Sequence, residues 1–338
     1  MRRAMLDSPG ELRIEKCAKP EAGPGEAIVR VMRCGICGSD IHSYLGRHPL
    51  VVFPVTPGHE FSGVVAEVGD GVDEGIIGAR VCVEPSLTCG RCPQCVSGRY
   101  NICEELKVMG FQAPGAFCER VAVPAEKLHI LPDGVSFEAG ALAEPLAVGV
   151  HALDRSGVGA GGTILIIGTG VIGLMVLTAA VSEGIDVIAI ESDAARAQVA
   201  RSLGAIEVFS PEEVGLARMA RKVQVHAVLE CVGRAETADM AVRLAPRGST
   251  VVVVGVFPGP VPVPLDLVQD GELDLTGTLM YTSADFERAL LILGRGRMDA
   301  GALVTHTVSL EDLAQGYGLL VGPGKLTLKV MVDVGGDA

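Results

Sequence analysis

Tryptophan is absent from the 338 residues, and aromatic side chains of all kinds make up only 4%. A chain so short of flat rings has little on which to stack unpaired bases, which argues against a single-stranded nucleic-acid binder. Positive charge is also scarce: 28 Lys and Arg stand against 41 Asp and Glu, a formal net charge of −13. Phosphate backbones and anionic lipid repel such a surface, so neither nucleic acid nor membrane is expected as a partner. No run of like charge is long enough to form a tail, and there is no internal repeat or low-complexity segment. The opening residues, MRRAMLDSPGE, lack the apolar stretch of a secretory signal. The expectation is a cytoplasmic protein in a reducing compartment, where clustered cysteines read as metal ligands.

What is present is an apolar fraction of 49% with 20% charged residues, which excludes intrinsic disorder. The 44 glycines show no collagen period and imply many tight turns. A chain of this length exceeds one hydrophobic core, so two domains are expected. Residues 1 to 150 carry short β-branched runs (EAIVRVMRCGIC, FSGVVAEVG, RVCVEPS) separated by Gly- and Pro-containing turns. Beyond 150 the period changes. TILIIG (163–168) suits a strand buried on both faces, and a stretch of helical length follows. DVIAIE (186–191), HAVLECVG (226–233) and STVVVVGVF (249–257) are further strands. Asp193 is a candidate helix cap and Gly204 a candidate stop. Strands alternating with helices predict an α/β fold with a doubly wound parallel sheet. STVVVVGVF is expected at the edge of that sheet, where it could pair across subunits. Towards the C-terminus, SADFERALLILGRG reads as a helix and KLTLKVMVDV as an alternating strand. The uncharged stretch Ser156–Ser182 has the length of a membrane span, but its glycines divide it into strand, turn and helix.

Gly168, Gly170 and Gly173 form G-T-G-V-I-G between a strand and a helix. The first glycine permits the tight turn, the second lets backbone approach a pyrophosphate, and the third lets helix and strand pack closely. With Val171 and Ile172 they form the turn that meets the phosphates at the positive end of the helix. Glu191 ends the next strand about twenty residues on, where its carboxylate suits the adenosine ribose hydroxyls and repels a 2′-phosphate. NAD is therefore favoured over NADP, although Arg196 nearby could accommodate that phosphate.

Cys89, Cys92, Cys95 and Cys103 stand in C-x2-C-x2-C-x7-C. Four thiolates fill a tetrahedral shell and leave no open position, so a structural zinc is expected in the lobe at about 86–107. Iron–sulfur clusters use related spacings. Cys17, Cys34, Cys82, Cys118 and Cys231 read as small hydrophobes. A second candidate set is dispersed: Cys37 in CGICGSDIH, His59 and Glu60 in PGHEFSG, and Glu144 in LAEPLAVGVHAL. One sulfur, one nitrogen and carboxylate oxygens would leave a coordination place for water or substrate. Spacing alone does not assemble them, and His59 as a turn histidine and Glu60 as a solvated acid are the plain alternatives.

Together these motifs resemble the zinc-containing medium-chain dehydrogenase/reductase family, of the alcohol, sorbitol and threonine dehydrogenase type, along essentially the whole chain and in the same order. The resemblance implies a GroES-like catalytic domain from residues 1–150 and 286–338, with a Rossmann domain at 151–285. A cleft between them would hold the cofactor and one catalytic zinc, with a second, structural zinc per chain. It implies that Cys37, His59 and Glu60 ligate the catalytic zinc and that Glu144 ligates it or contacts its water. It further implies that Ser39 takes the proton of a small-molecule alcohol and His42 passes it outward through the cofactor ribose, while hydride goes to the nicotinamide. Polyols, sugars or sugar acids are the favoured substrates; threonine oxidation and a non-catalytic dinucleotide-binding relative remain open. Where the sorbitol branch has an Arg-Tyr pair, this chain has Met280 and Tyr281, which weakens a strict sorbitol assignment. Phe111 and Gln112 would face the pocket by analogy. A homodimer or homotetramer is expected.

Overall fold

A computed structural model describes residues 1–213, 224–322 and 326–335. The chain divides into two compact units. The first comprises Met1–Glu144, Leu293–Gly296 and the stretch from Ala300, and the second Pro145–Ile292 with Arg297–Asp299. One division falls inside the helix Ala143–Ser156 and the other inside Ser283–Gly294.

The first unit begins with a hairpin, β1 (Arg2–Ser8) and β2 (Glu11–Lys16). Its main sheet is built on β3 (Glu26–Ile36), whose alternating Ala27, Val29 and Val31 enter the core. Antiparallel to β3 lie β4 (Glu60–Val68), β8 (Arg120–Pro124) and the last strand, β17 (Lys329–Asp333). β5 (Arg80–Val83) and β9 (Leu128–Ile130) extend the sheet beyond β4, and β16 (Val304–Ser309) flanks β17. Short strands β6 (Ser86–Leu87) and β7 (Lys107–Val108) pair at the base of the cysteine-rich loop. Phe61, Phe117, Tyr317 and Val330 pack between these elements. The expected alternation in KLTLKVMVDV is not observed: Lys329, Val330, Met331 and Val332 are all buried, because β17 is an inner strand covered on both faces. Lys325, which opens that segment, lies outside the described residues. The registers set Glu60 opposite Gly35 and Val330 opposite Ile36, so three distant segments meet at the end of β3.

The second unit holds six parallel strands, β10 (Thr163–Ile167), β11 (Asp186–Ile190), β12 (Glu207–Phe209), β13 (Ala227–Glu230), β14 (Thr250–Val253) and β15 (Asp274–Gly277). Their spatial order is β12-β11-β10-β13-β14-β15, the doubly wound arrangement. All five residues of β10 are buried, as a two-faced inner strand requires. Helix Val171–Ser182 follows β10, and Asp193 caps helix Ala194–Ser202 by accepting the N–H groups of Ala195 and Arg196. Ser156–Ser182 is accordingly the end of one helix, a strand and a second helix, and no helix among the described residues is long and apolar enough to cross a membrane. One expectation is corrected. STVVVVGVF yields only a four-residue strand, and β14 is not an edge: it pairs with β13 and β15. Its apolar run reflects burial inside the sheet, whose edge strands are β12 and β15.

Helix Ala143–Ser156 is tied to helix Ser283–Gly294 by polar contacts within the second unit. His151 Nδ1 lies 3.0 Å from Asp285 Oδ2, which also accepts from the Thr282 N–H and hydroxyl at 2.8 Å. Arg288 bridges Asp154 and Glu183. Burial pushes the Asp285 carboxyl up, but His151 and Thr282 outweigh it and hold it below its ordinary value. A carboxylate depressed on folding stabilises the protein above its unfolded pKa of about 4 and ceases to do so as pH falls through the folded value. Asp285→Asn should therefore cost about 2 kcal/mol at neutral pH, a difference that shrinks below about pH 4 in denaturant titrations at matched pH.

Candidate metal centres and cofactor cradle

The four cysteines of the lobe converge. Cys92 caps the short helix Pro93–Val96, and the sulfurs of Cys89 and Cys95, Cys89 and Cys103, and Cys92 and Cys103 are 3.9, 3.5 and 4.0 Å apart. A zinc with four sulfurs at about 2.3 Å spans tetrahedron edges of about 3.8 Å, so this set fits the ion. Backbone N–H groups of Cys92, Cys95 and Glu105 point at the sulfurs of Cys89, Cys92 and Cys103. Donation from the Glu104 and Cys95 backbones draws the Cys92 thiol down to about 6, towards the thiolate that a metal needs. Cys34, Cys82 and Cys118 are buried in apolar surroundings as expected of small hydrophobes, whereas Cys17 and Cys231 are only half-buried.

The dispersed set lies at the end of β3. Cys37 caps helix Gly38–Tyr44, and its N–H donates to Asp40 Oδ2 at 2.9 Å. His59 is aimed by Gly58, whose φ of +95° no ordinary side chain adopts comfortably. The Gly58 N–H reaches Asp40 Oδ1 at 3.3 Å, so one wholly buried carboxylate fastens both ligand-bearing loops. Ligand atoms of Cys37, His59 and Glu60 lie within 4.8 Å of one another. His59 Nδ1 faces Asp40 Oδ1 at 3.7 Å and is otherwise without a hydrogen-bond partner among the described residues, which leaves Nε2 for a metal. Burial pushes His59 down, but Asp40 and Cys37 outweigh it and hold it well above its ordinary value. A soft sulfur, an imidazole and carboxylates are a donor set that suits zinc. Glu144, buried in the first turn of its helix, falls outside the 4.8 Å group but bears electrostatically on His59.

Ser39 and His42 sit one turn apart on helix Gly38–Tyr44, Ser39 half-buried and His42 exposed. Phe111 forms a wall, its ring 5.0 Å from His59 and stacked 4.5 Å from His48. Gln112 departs from expectation. Its amide is spent on backbone, donating to Leu50 O at 2.6 Å and accepting from the Val108 N–H at 2.9 Å. Tyr281 is fully buried in the second unit against Phe286. Two residues escaped sequence reasoning. Asp40 stands three after Cys37, at the spacing of a capping box, and that signal was available. Lys329 gave none: its ammonium, 2% exposed, is hydrogen-bonded to Glu60.

In the second unit, Gly168 adopts φ +89° and a Cβ there would meet the Val232 side chain at 2.3 Å. A Cβ on Gly173 would strike Gly168 O at 2.0 Å, whereas one on Gly170 would meet nothing within 4 Å. The middle glycine thus borders open space at the N-terminus of helix Val171–Ser182, whose first-turn N–H groups suit a pyrophosphate. Glu191 is buried at the end of β11. Its Oε2 accepts from the Thr169 N–H at 2.8 Å and hydroxyl at 3.0 Å, and its Oε1 from the Asp193 N–H at 2.9 Å. Arg196 begins the following helix, half-buried.

Residues 23–133 match the model of the alcohol dehydrogenase GroES-like domain, and residues 171–294 that of the zinc-binding dehydrogenase. The chain is 32% identical to sorbitol dehydrogenase of Bacillus subtilis over 98% of its own length and 97% of the relative's. It is 35% identical to 2-dehydro-3-deoxy-L-galactonate 5-dehydrogenase of Pseudoalteromonas atlantica, covering 90% and 89% of the two. A crystal structure of a zinc-binding dehydrogenase from Sinorhizobium meliloti bound to NADP superposes with a TM-score of 0.91 at 34% identity, covering 98% of each chain. The chain belongs to the zinc-containing medium-chain dehydrogenase/reductase family and is an oxidoreductase of the zinc-type alcohol dehydrogenase class.

The four-cysteine lobe has almost no core of its own, so metal should supply its folding energy. Cys92→Ser is expected to lower the zinc content, measured by elemental analysis, and to lower the thermal midpoint while nicotinamide dinucleotide binding persists.

Proposed function

We propose that this protein oxidises a secondary alcohol of the polyol, sugar or sugar-acid class, passing hydride to NAD. The observation that carries this reading is the convergence of Cys37, His59 and Glu60 within 4.8 Å, fastened from behind by Asp40. Zinc, when bound by Cys37 and His59 with carboxylate help from Glu144 or Glu60, supplies Lewis-acid polarisation that eases loss of the hydroxyl proton. The chain's own residues do the remainder. Ser39 accepts that proton, and exposed His42, one turn along the same helix, delivers it to solvent. Phe111 supplies an apolar wall that excludes water. The Gly168–Gly173 turn receives the pyrophosphate, and Glu191 takes the adenosine ribose. The buried carboxylate of Glu191 supports NAD, since a 2′-phosphate would meet its charge. The names of the sorbitol and deoxygalactonate dehydrogenases support the substrate class.

The test is a spectrophotometric panel of polyols, sugars, sugar acids and threonine with NAD and NADP. A polyol or sugar acid with NAD should give the highest kcat/KM. Cys37→Ser should lower it by about a thousandfold. Ser39→Ala should lower kcat by about a hundredfold or more. Turnover of threonine alone, or NAD binding with no turnover at all, would reject the reading.

We further propose that the protein self-associates through β15. This strand is an edge of the parallel sheet, with exposed Leu275, Leu279, Val256 and Leu265 on or near it. An apolar cavity of about 240 Å³ lined by Val242, Val251, Phe257, Val263 and Leu275 adds to that face. Sedimentation should report a dimer or tetramer, and Leu275→Asp should shift it towards monomer; a monomeric parent would refute this.

A further inference from the structure

The His59, Phe111 and His48 rings form one continuous run. Phe111 lies 5.0 Å from His59 and is stacked 4.5 Å from His48, at an interplanar angle of 26°. His48 is carried by the loop that follows helix Gly38–Tyr44, where Leu50 is 65% exposed and Val52 61%, so apolar packing does not hold the loop in place. Hydrogen bonds hold it instead. The N–H groups of Arg47 and His48 donate to His42 O at 2.7 and 3.1 Å, and the Val52 N–H donates to Phe111 O at 3.0 Å. Gln112 adds a side-chain tie, its Nε2 donating to Leu50 O at 2.6 Å while its Oε1 accepts from the Val108 N–H. Within this frame the Leu50 N–H donates to His48 Nδ1 at 3.3 Å, which assigns the proton of the neutral ring to Nε2. Burial, with the nearby His42 and His59 rings, holds His48 below its ordinary pKa and so favours that neutral form. The half-buried ring is left with a single N–H donor, and Nε2 has no hydrogen-bond partner among the described residues.

We infer that His48 is a specificity-determining residue: its Nε2–H donates to a hydroxyl or carboxylate oxygen that the substrate carries beyond the carbon being oxidised, and Gln112 is the positioning residue that keeps it there. This deepens the proposed function and rests on its placing of the reacting hydroxyl at Cys37 and His59. The physical reason is the cost of an unmet donor. A substrate seated against the Phe111 wall withdraws the His48 N–H from water. A polyhydroxylated chain replaces the lost water bond with an oxygen of its own. A plain alcohol has only the oxygen being oxidised and leaves the donor unmet, so it binds less well for the same apolar area. Phe111 holds the plane of the imidazole, and the Leu50 N–H fixes which nitrogen carries the proton, so the donor is preorganised before substrate arrives. Gln112 acts only through Leu50, and without its amide the loop loses a tie two residues from His48.

The test compares the full-length, zinc-loaded protein with its variants on two probes: the best polyol or sugar acid of the panel, and 2-butanol, which carries no oxygen besides the one oxidised. Where 2-butanol turns over too slowly, its inhibition constant takes the place of kcat/KM. His48→Leu keeps apolar bulk against Phe111 but removes the donor. It should lower the ratio of the two kcat/KM values by about tenfold, through a raised KM for the polyhydroxylated probe. His48→Gln, which restores an N–H donor of similar reach, should keep the ratio within about threefold of the parent's. Gln112→Leu should lower it as His48→Leu does, and the double variant no further, since both changes act on one donor. A ratio that moves less than about threefold in His48→Leu overturns the inference, as does an equal fall in His48→Gln, which marks a packing role alone. A reading without turnover comes from a nitrogen-15 histidine spectrum. His48 should be protonated on Nε2, and the polyhydroxylated probe should move that signal more than 2-butanol does; protonation on Nδ1, or the same response to both, overturns the inference. Should His48→Leu fail to fold, that spectrum and Gln112→Leu decide. A parent that oxidises no secondary alcohol sinks the proposed function instead.

Discussion

Buried negative charge at the end of β3 is the constraint around which the first unit is organised. Asp40, Glu60 and Glu144 are carboxylates withdrawn from water within reach of Cys37 and His59. Each ion taken from water costs several kcal/mol unless paired. Lys329 offsets Glu60, and the N–H groups of Cys37 and Gly58 solvate Asp40. Even so, burial leaves the Asp40 carboxyl above its ordinary value, and Asp40 and Cys37 raise that of the neighbouring His59. A divalent cation held by Cys37 and His59 would supply the missing positive charge. The sheet exists, in functional terms, to bring β3, β4 and β17 to one point, and the two glycines at 35 and 58 are the backbone concessions that allow it.

The second unit solves the opposite problem, since its ligand is anionic. It offers backbone N–H groups at a helix N-terminus with no side chain in the way at Gly170, and the buried carboxylate of Glu191 stands beside that turn at the end of β11. The internal bonds that Glu191 accepts from Thr169 and Asp193 fix its orientation before any cofactor arrives. The same bonds rigidify the junction between the glycine turn and the end of β11, which is the preorganisation that a tight dinucleotide site requires.

Much of this was legible in the sequence because local chemistry dictated it. The C-x2-C-x2-C-x7-C spacing and the G-x-G-x-x-G turn are short-range features, and each needs only its own neighbours to form. The mixed metal set was legible only through the family resemblance, since nothing local joins Cys37 to His59 and Glu60. Lys329 was opaque for the same reason in a sharper form: its partner lies across a strand register that no periodicity announces. The edge of the parallel sheet was misread because an apolar run such as VVVV looks alike whether the next strand is another segment of the same chain or of a second one. Strand β15, with Asp274 and Thr276 in it, carries too few apolar residues to declare itself as a strand. Gln112 was expected at the pocket by analogy, and its amide is instead bonded to the backbone of Leu50 and Val108.

The central claim is that a metal ion sits between Cys37 and His59, and anomalous diffraction at the zinc edge tests it most directly. The account predicts two peaks per chain: one enclosed by Cys89, Cys92, Cys95 and Cys103, the other about 2.3 Å from Cys37 Sγ and about 2.1 Å from His59 Nε2. A map from zinc-supplied crystals with a peak in the cysteine lobe alone, and Cys37 and His59 joined only by water, would contradict it.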